Sequence, residues 1–124
     1  MPHEITLSLD KTFVILTIRG TITAAIAKEC NRAAHLFASK QGVGRHLMDL
    51  RGCRNTDSTA SSMGFAIHSM PNDPCINKRA RVAVLVDPDD HSHDIVVAAC
   101  QCANLDVNLF TDWPAAEKHL KSEP

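Results

Sequence analysis

Apolar and polar residues alternate from Glu4 to Leu9, which places Ile5, Leu7 and Leu9 on one face. That two-residue period predicts a half-buried β-strand over 4–9. Asp10-Lys11 reads as a turn, and the β-branched run 12–19, TFVILTIR, reads as a second strand. The short connection predicts an antiparallel hairpin. After Gly20 the period changes. Ile22, Ile26, Cys30, Ala33 and Phe37 recur at steps of four and three, as on one face of a helix, with Lys28, Arg32, His35 and Ser39 mostly on other faces. Thr21 or Thr23 can cap its start, and Gln41-Gly42-Val43-Gly44 closes it.

Residues 45–50, RHLMDL, read as a third strand, and 58–70 as a second helix. Met63, Ile67 and Met70 stand at i, i+4 and i+7 there, with Phe65 and Ala66 beside them. Gly64 weakens that helix by about 1 kcal/mol relative to alanine, which suggests a point of close packing. Two prolines make 71–80 a loop, and the continuous apolar run 81–86, RVAVLV, predicts a strand covered on both faces. A third helix is expected from Pro88 to about Asn104, with Ile95, Ala99 and Cys102 inward. A last strand over 106–110 leads to a final helix capped by Asp112, with Trp113, Ala116 and Leu120 inward. The order β-β-α-β-α-β-α-β-α predicts an α/β fold: a mixed, mostly parallel sheet opened by an antiparallel hairpin, with residues 1–124 forming one domain.

Composition narrows the function classes. With 124 residues, 44% of them hydrophobic and 22% charged, the chain can bury one core without staples. A net charge of −1 gives no bulk field toward nucleic acid or a membrane surface. Aromatics at 4% argue against a stacking platform for bases. No apolar run approaches the roughly 20 residues of a membrane span. Five cysteines without a C-x-x-C pair, and the start MPHEITLSLD without a signal-peptide pattern, predict a reduced, cytoplasmic protein.

Candidate chemistry is sparse. Asp49 and Asp87 end consecutive strands and reach the carboxyl edge of the sheet if those strands are neighbours. They read as loop caps or as a Mg²⁺-dependent phosphoacceptor pair, although receiver domains begin with a single parallel strand and an acidic pair rather than a hairpin. The segment 87–94, DPDDHSHD, carries His91 and His93, which can share a metal only if the backbone there is extended, and no third ligand stands at a recognisable spacing. Lys78, Arg79 and Arg81, with Arg51 and Arg54 from an earlier loop, form a candidate anion or partner site, or a solvated edge. Cys100 and Cys102 read as small buried hydrophobes, whereas Cys53 and Cys75 fall in loops where a thiol can react. There is no G-x-S-x-G, no Walker loop and no G-x-G-x-x-G, so the sequence gives an enzyme no positive support, and no cofactor or metal is expected.

Four segments carry a family resemblance: 13–23 FVILTIRGTIT, 46–53 HLMDLRGC, 81–87 RVAVLVD and 107–120 VNLFTDWPAAEKHL. In order and pattern the chain resembles the STAS superfamily of anti-anti-sigma-like domains, and more closely the small stand-alone SpoIIAA-like proteins. The resemblance implies a protein partner whose binding is controlled by phosphorylation. In such proteins the phosphorylated serine follows an aspartate at the start of the second helix, in an Asp-Ser-Ser-Gly pattern. Asp57-Ser58 stands in that place, while Gly64 comes late; a shifted alignment puts Ser62 nearest the glycine. A phosphate at a helix N-terminus meets free N–H groups, and Asp57 would oppose it electrostatically. The same residues also read as a plain helix cap.

The expectation is therefore a non-enzymatic STAS-like binding or regulatory module, switched at the second helix. The alternative is a module for a small apolar ligand or lipid, suggested by a lipid-transfer grouping of some such relatives and by Met63, Phe65, Ile67 and Met70. The third is a homodimer of no assignable activity, paired through an exposed edge such as 4–9.

Overall fold

In the computed structural model, which describes residues 3–122, β1 (His3–Leu7) and β2 (Val14–Ile18) form the antiparallel hairpin. The Ser8 hydroxyl holds the turn, accepting from the Thr12 and Phe13 N–H groups at 3.0 and 3.2 Å. Helix α1 (Ala24–Gln41) begins at Thr23, whose hydroxyl accepts from the Ile26 N–H, and ends at Gly42 in a left-handed conformation at φ 68°. The parallel strands β4 (Arg45–Asp49), β6 (Arg81–Leu85) and β7 (Asp106–Phe110) follow, linked by helical segments. Helix α2 spans 59–72, α3 is Asp94–Cys102 and α4 is Trp113–Lys121. The five-stranded sheet has the order β1-β2-β4-β6-β7, antiparallel at the hairpin and parallel elsewhere.

Two elements have no counterpart in the sequence reading. Strands β3 (Gly20–Ile22) and β5 (Cys53–Asn55) pair in parallel as a separate two-stranded ribbon beyond the carboxyl ends of β2 and β4. Three residues each are too short to show a period, and Gly20 and Gly52, with φ of 96° and 68°, turn the chain into them.

Each crossover steps the same way across the sheet, so right-handed connections put α1, α2 and α3 on one face. There Cys30, Ala34, Ala66, Val97 and Cys100 pack on Leu16, Ile18, Val82, Val84 and Val107. Among the described residues only α4 covers the other face, where Ala116 and Leu120 pack on Phe13, Leu47, Ala83 and Leu85.

Several helix faces differ from expectation. In α1 the buried stripe is Cys30, Asn31, Ala34, His35 and Ala38, one step round from the apolar stripe, so two polar side chains face the core. Helix α3 starts at Asp94 rather than Pro88; Val97, Ala99 and Cys100 face inward, while Ile95 and Cys102 are exposed. Helix α2 runs on through Pro71 to Asn72, into the stretch expected to be a loop, because a proline is tolerated at the start of a helical turn. A Cβ built on Gly64 meets no atom within 4 Å, so close packing does not explain that glycine.

Candidate functional site

A cavity of about 70 Å³ lies between the α1–α3 layer and the sheet. Met48, Val82, Val84 and Val107 form its floor. Ala27 and Asn31 of α1, Phe65 and Met70 of α2, and Val96, Val97 and Cys100 of α3 form its walls. Ile22 and Asn55 of the β3–β5 ribbon close one end.

The wall made by α2 is not a regular helix. Residues Phe65–Ser69 form a π-helical turn, in which the Met70 N–H donates to the Phe65 carbonyl five residues back. The wider turn divides the apolar residues of this helix between two faces. Phe65 and Met70 are buried and line the cavity, whereas Met63 and Ile67 are each 38% exposed. The expected stripe of Met63, Phe65, Ile67 and Met70 is thus two inward residues and two outward ones, since the i, i+4, i+7 rule holds only for 3.6 residues per turn.

A polar network borders the cavity. The Asn55 side chain donates to Ser62 Oγ at 3.0 Å and to the Ser92 carbonyl at 3.1 Å, and accepts from the Asp57 N–H at 3.0 Å. The same residue's N–H donates to Ser92 Oγ. One side chain thereby ties β5 to α2 and to the segment before α3. His93 is buried, with Nε2 2.6 Å from the Cys53 carbonyl and 3.6 Å from Asp90. Neither Asn55 nor the inward turn of Asn31 was legible in the sequence, since Asn31 lies off the predicted apolar stripe and Asn55 in a predicted loop.

The three residues of the expected switch separate. Ser58 is exposed and caps α2, its hydroxyl accepting from the Ser61 N–H at 3.1 Å. Asp57 faces the other way: its carboxylate accepts from the Ala24 N–H at 2.6 Å, at the start of α1, and from the Ser58 N–H at 3.1 Å. The Ala24 bond holds the Asp57 carboxyl below the ordinary carboxylate range. Ser62 is 2% exposed and bonded to Asn55, so a kinase meets Ser58 but not Ser62 in the folded chain.

Strands β4 and β6 are neighbours, which brings Asp49 and Asp87 to one edge of the sheet, but each already has partners. Asp49 is buried and accepts from Arg19 at 3.0 Å and from the Arg51 Nε and terminal nitrogen, both at 2.9 Å. Burial pushes its carboxyl up, but hydrogen bonds from Arg51 and then Arg19 outweigh that and hold it below the ordinary value. Arg51 also stacks over Trp113, 5.6 Å from the ring centroid. Asp87 accepts from the Gly52 N–H at 2.8 Å. Both carboxylates act as loop anchors.

His91 and His93 point apart. His91 is exposed beside Asp94 at 3.1 Å, while His93 is buried. Among the described residues no three His, Cys, Asp or Glu side chains gather to hold a metal ion. The expected basic cluster is divided: Arg81 opens β6 at the amino edge and bonds the His119 and Ser122 carbonyls behind α4, whereas Arg51 and Arg54 follow β4 at the carboxyl edge. Cys53, expected in a reactive loop, is buried in β5, and burial pushes its thiol up to about 11; Cys75 and Cys102 are the exposed thiols. No helix among the described residues is long and apolar enough to cross a membrane. No family model matches the chain, and no curated protein matches it.

Proposed function

We propose that the protein is a binding module that holds a small, largely apolar molecule between its sheet and helices α1–α3. One observation carries this reading: the apolar cavity has a π-helical turn in its wall. Cores are normally packed to crystal density, so a cavity bounded by Met48, Phe65, Met70 and Val97 leaves dispersion contacts unmade that a ligand would make. At 70 Å³ it is about half the roughly 150 Å³ of an apolar cavity that takes up benzene. A larger guest therefore needs α2 to move outward. The π turn supports this, because single π turns inside α-helices are rare and frequently mark functional sites. Native mass spectrometry of the protein isolated from its own cells tests the reading. A defined added mass, lost on mild denaturation, supports it; bare protein contradicts it.

A second reading keeps the STAS-like resemblance, with a protein partner as the ligand. The opening hairpin and the sequential strand order support it, and so does the placement of Ser58. The exposed Ser58 hydroxyl adjoins Asp57, and Asp57 caps α1. A phosphate on Ser58 would repel the Asp57 carboxylate and loosen the start of α1, changing the surface offered to a partner. An added phosphate mass mapped to Ser58 supports this reading. Its absence across growth conditions, with partner binding unchanged in Ser58→Asp, removes it.

A further inference from the structure

We infer that the cavity selects neutral molecules carrying a hydroxyl on an apolar body, rather than hydrocarbons or fatty carboxylates; this rests on the ligand-binding reading above. The lining polar groups set the selection. Asn31 is 5% exposed and lines the cavity. Its amide nitrogen donates to the Ala27 carbonyl at 2.8 Å, which fixes which end of the amide is nitrogen. The oxygen end makes no hydrogen bond among the described residues, and Asn31 is a lining residue of the cavity. An acceptor without a partner in such surroundings is costly, so a guest that donates to it is favoured over one that cannot.

Ser62 adds the complementary group. Its Oγ accepts from Asn55 at 3.0 Å, while its own O–H has no acceptor among the described residues. His93 lines the cavity as well, its Nε2 donating to the Cys53 carbonyl, which can only accept. The cavity thus offers an acceptor at Asn31 and a donor at Ser62. A hydroxyl donates and accepts through one atom and can answer both kinds of group.

Charge excludes the other common headgroup. Among the described residues no lysine, arginine, aspartate or glutamate lines the cavity, and His93 Nε2 is already engaged by the Cys53 carbonyl, with Asp90 3.6 Å away. A carboxylate there would lose its hydration without gaining a cation. Apart from Thr23, Asn55 and Cys100, the remaining lining is apolar, with Phe65 as an aromatic contribution, so the body of the ligand is apolar.

The test compares cyclopentanol, cyclopentane and cyclopentanecarboxylate, which share one ring, by titration into the intact protein with affinity read from NMR shifts. A purely apolar cavity rejects an alcohol, because its hydroxyl would be buried without a partner. Here cyclopentanol is expected to bind at least as tightly as cyclopentane, with the carboxylate not binding. In Asn31→Ala the alcohol should weaken relative to the alkane by about tenfold, the scale of one hydrogen bond. The wild-type comparison stands alone if that variant does not fold. Binding of cyclopentane with cyclopentanol at least about tenfold weaker overturns the inference and leaves the ligand-binding reading intact. So does a preference for the carboxylate. Binding of none of the three overturns both.

Discussion

The imidazole rings of His35 and His46 stack in the core, with centroids 4.3 Å apart and planes inclined by 23°. They join α1 to β4 beneath the loop that leads into β6. His35 Nδ1 accepts from the Asn77 N–H at 3.0 Å, while His46 Nε2 is buried without a partner. Burial, with Lys78 adding to it and Asp73 opposing it, lowers His35 to about 4. Burial, with His35 adding to it, lowers His46 to about 3. Both rings are therefore neutral in the folded protein at neutral pH.

That neutrality makes the fold acid-sensitive. In the unfolded chain each ring takes a proton below its ordinary value of 6.5, whereas the folded rings do so only near 4 and 3. Protons thus favour the unfolded chain through that window. Stability is complete above 6.5 and falls with pH, each histidine contributing a slope of about 1.4 kcal/mol per pH unit. His46→Phe keeps an aromatic stack and removes the unpartnered Nε2. Urea unfolding at pH 7 and pH 5 should show a smaller loss of stability in this variant than in the wild type. An equal loss in both would show that His46 does not contribute.

Asp49 anchors two arginines at the carboxyl edge of the sheet. Asp49→Asn keeps the shape and removes the charge, leaving Arg19 and Arg51 side by side. The expected loss is about 2 kcal/mol, below the usual 3–5 for breaking a buried pair, because both arginines reach water. Denaturant unfolding measures it. A negligible change would mean that solvent replaces Asp49 fully as the partner of both.

Gly64 sits at φ −59° and ψ −42°, ordinary helical values, with open space where a Cβ would stand. Gly64→Ala should therefore stabilise the protein by roughly 0.5–1 kcal/mol, through helix propensity alone. If α2 must move to admit a ligand, the same variant should also slow uptake of cyclopentanol. Stopped-flow or NMR exchange measurements would detect that slowing, and an unchanged rate would place the entry route away from α2.

The five main strands and four helical segments are legible because the helices and the first strand carry a period, while 12–19 and 81–86 are runs of β-formers bounded by turns. The residues of the cavity were legible only in part. Phe65 and Met70 were singled out, but so were Met63 and Ile67, because a π turn leaves no trace in an α-helical pattern. His35 reads as an outward residue, since polar side chains usually face water, and Asn31 stands in no predicted pattern; the helix is instead rotated to bury both. Ser58 and Asp57 were read as one site, yet Asp57 turns to Ala24, a contact across 33 positions that no local pattern encodes. Ser62 stands near Ser58 in the sequence yet lies inside the protein, because Ser58 is the cap outside the helix whereas Ser62 lies within it and meets Asn55.

The central claim is that the space under α2 takes up an apolar guest, and the methionine methyl groups report on it directly. Met48 and Met70 line the cavity, while Met63, on the same helix as Met70, faces solvent. With the methionine methyls isotopically labelled, cyclopentanol is titrated into the protein and the methyl resonances are followed. The account predicts saturable shifts for Met48 and Met70 with Met63 unmoved. Three stationary resonances, or three drifting together without saturation, would contradict it.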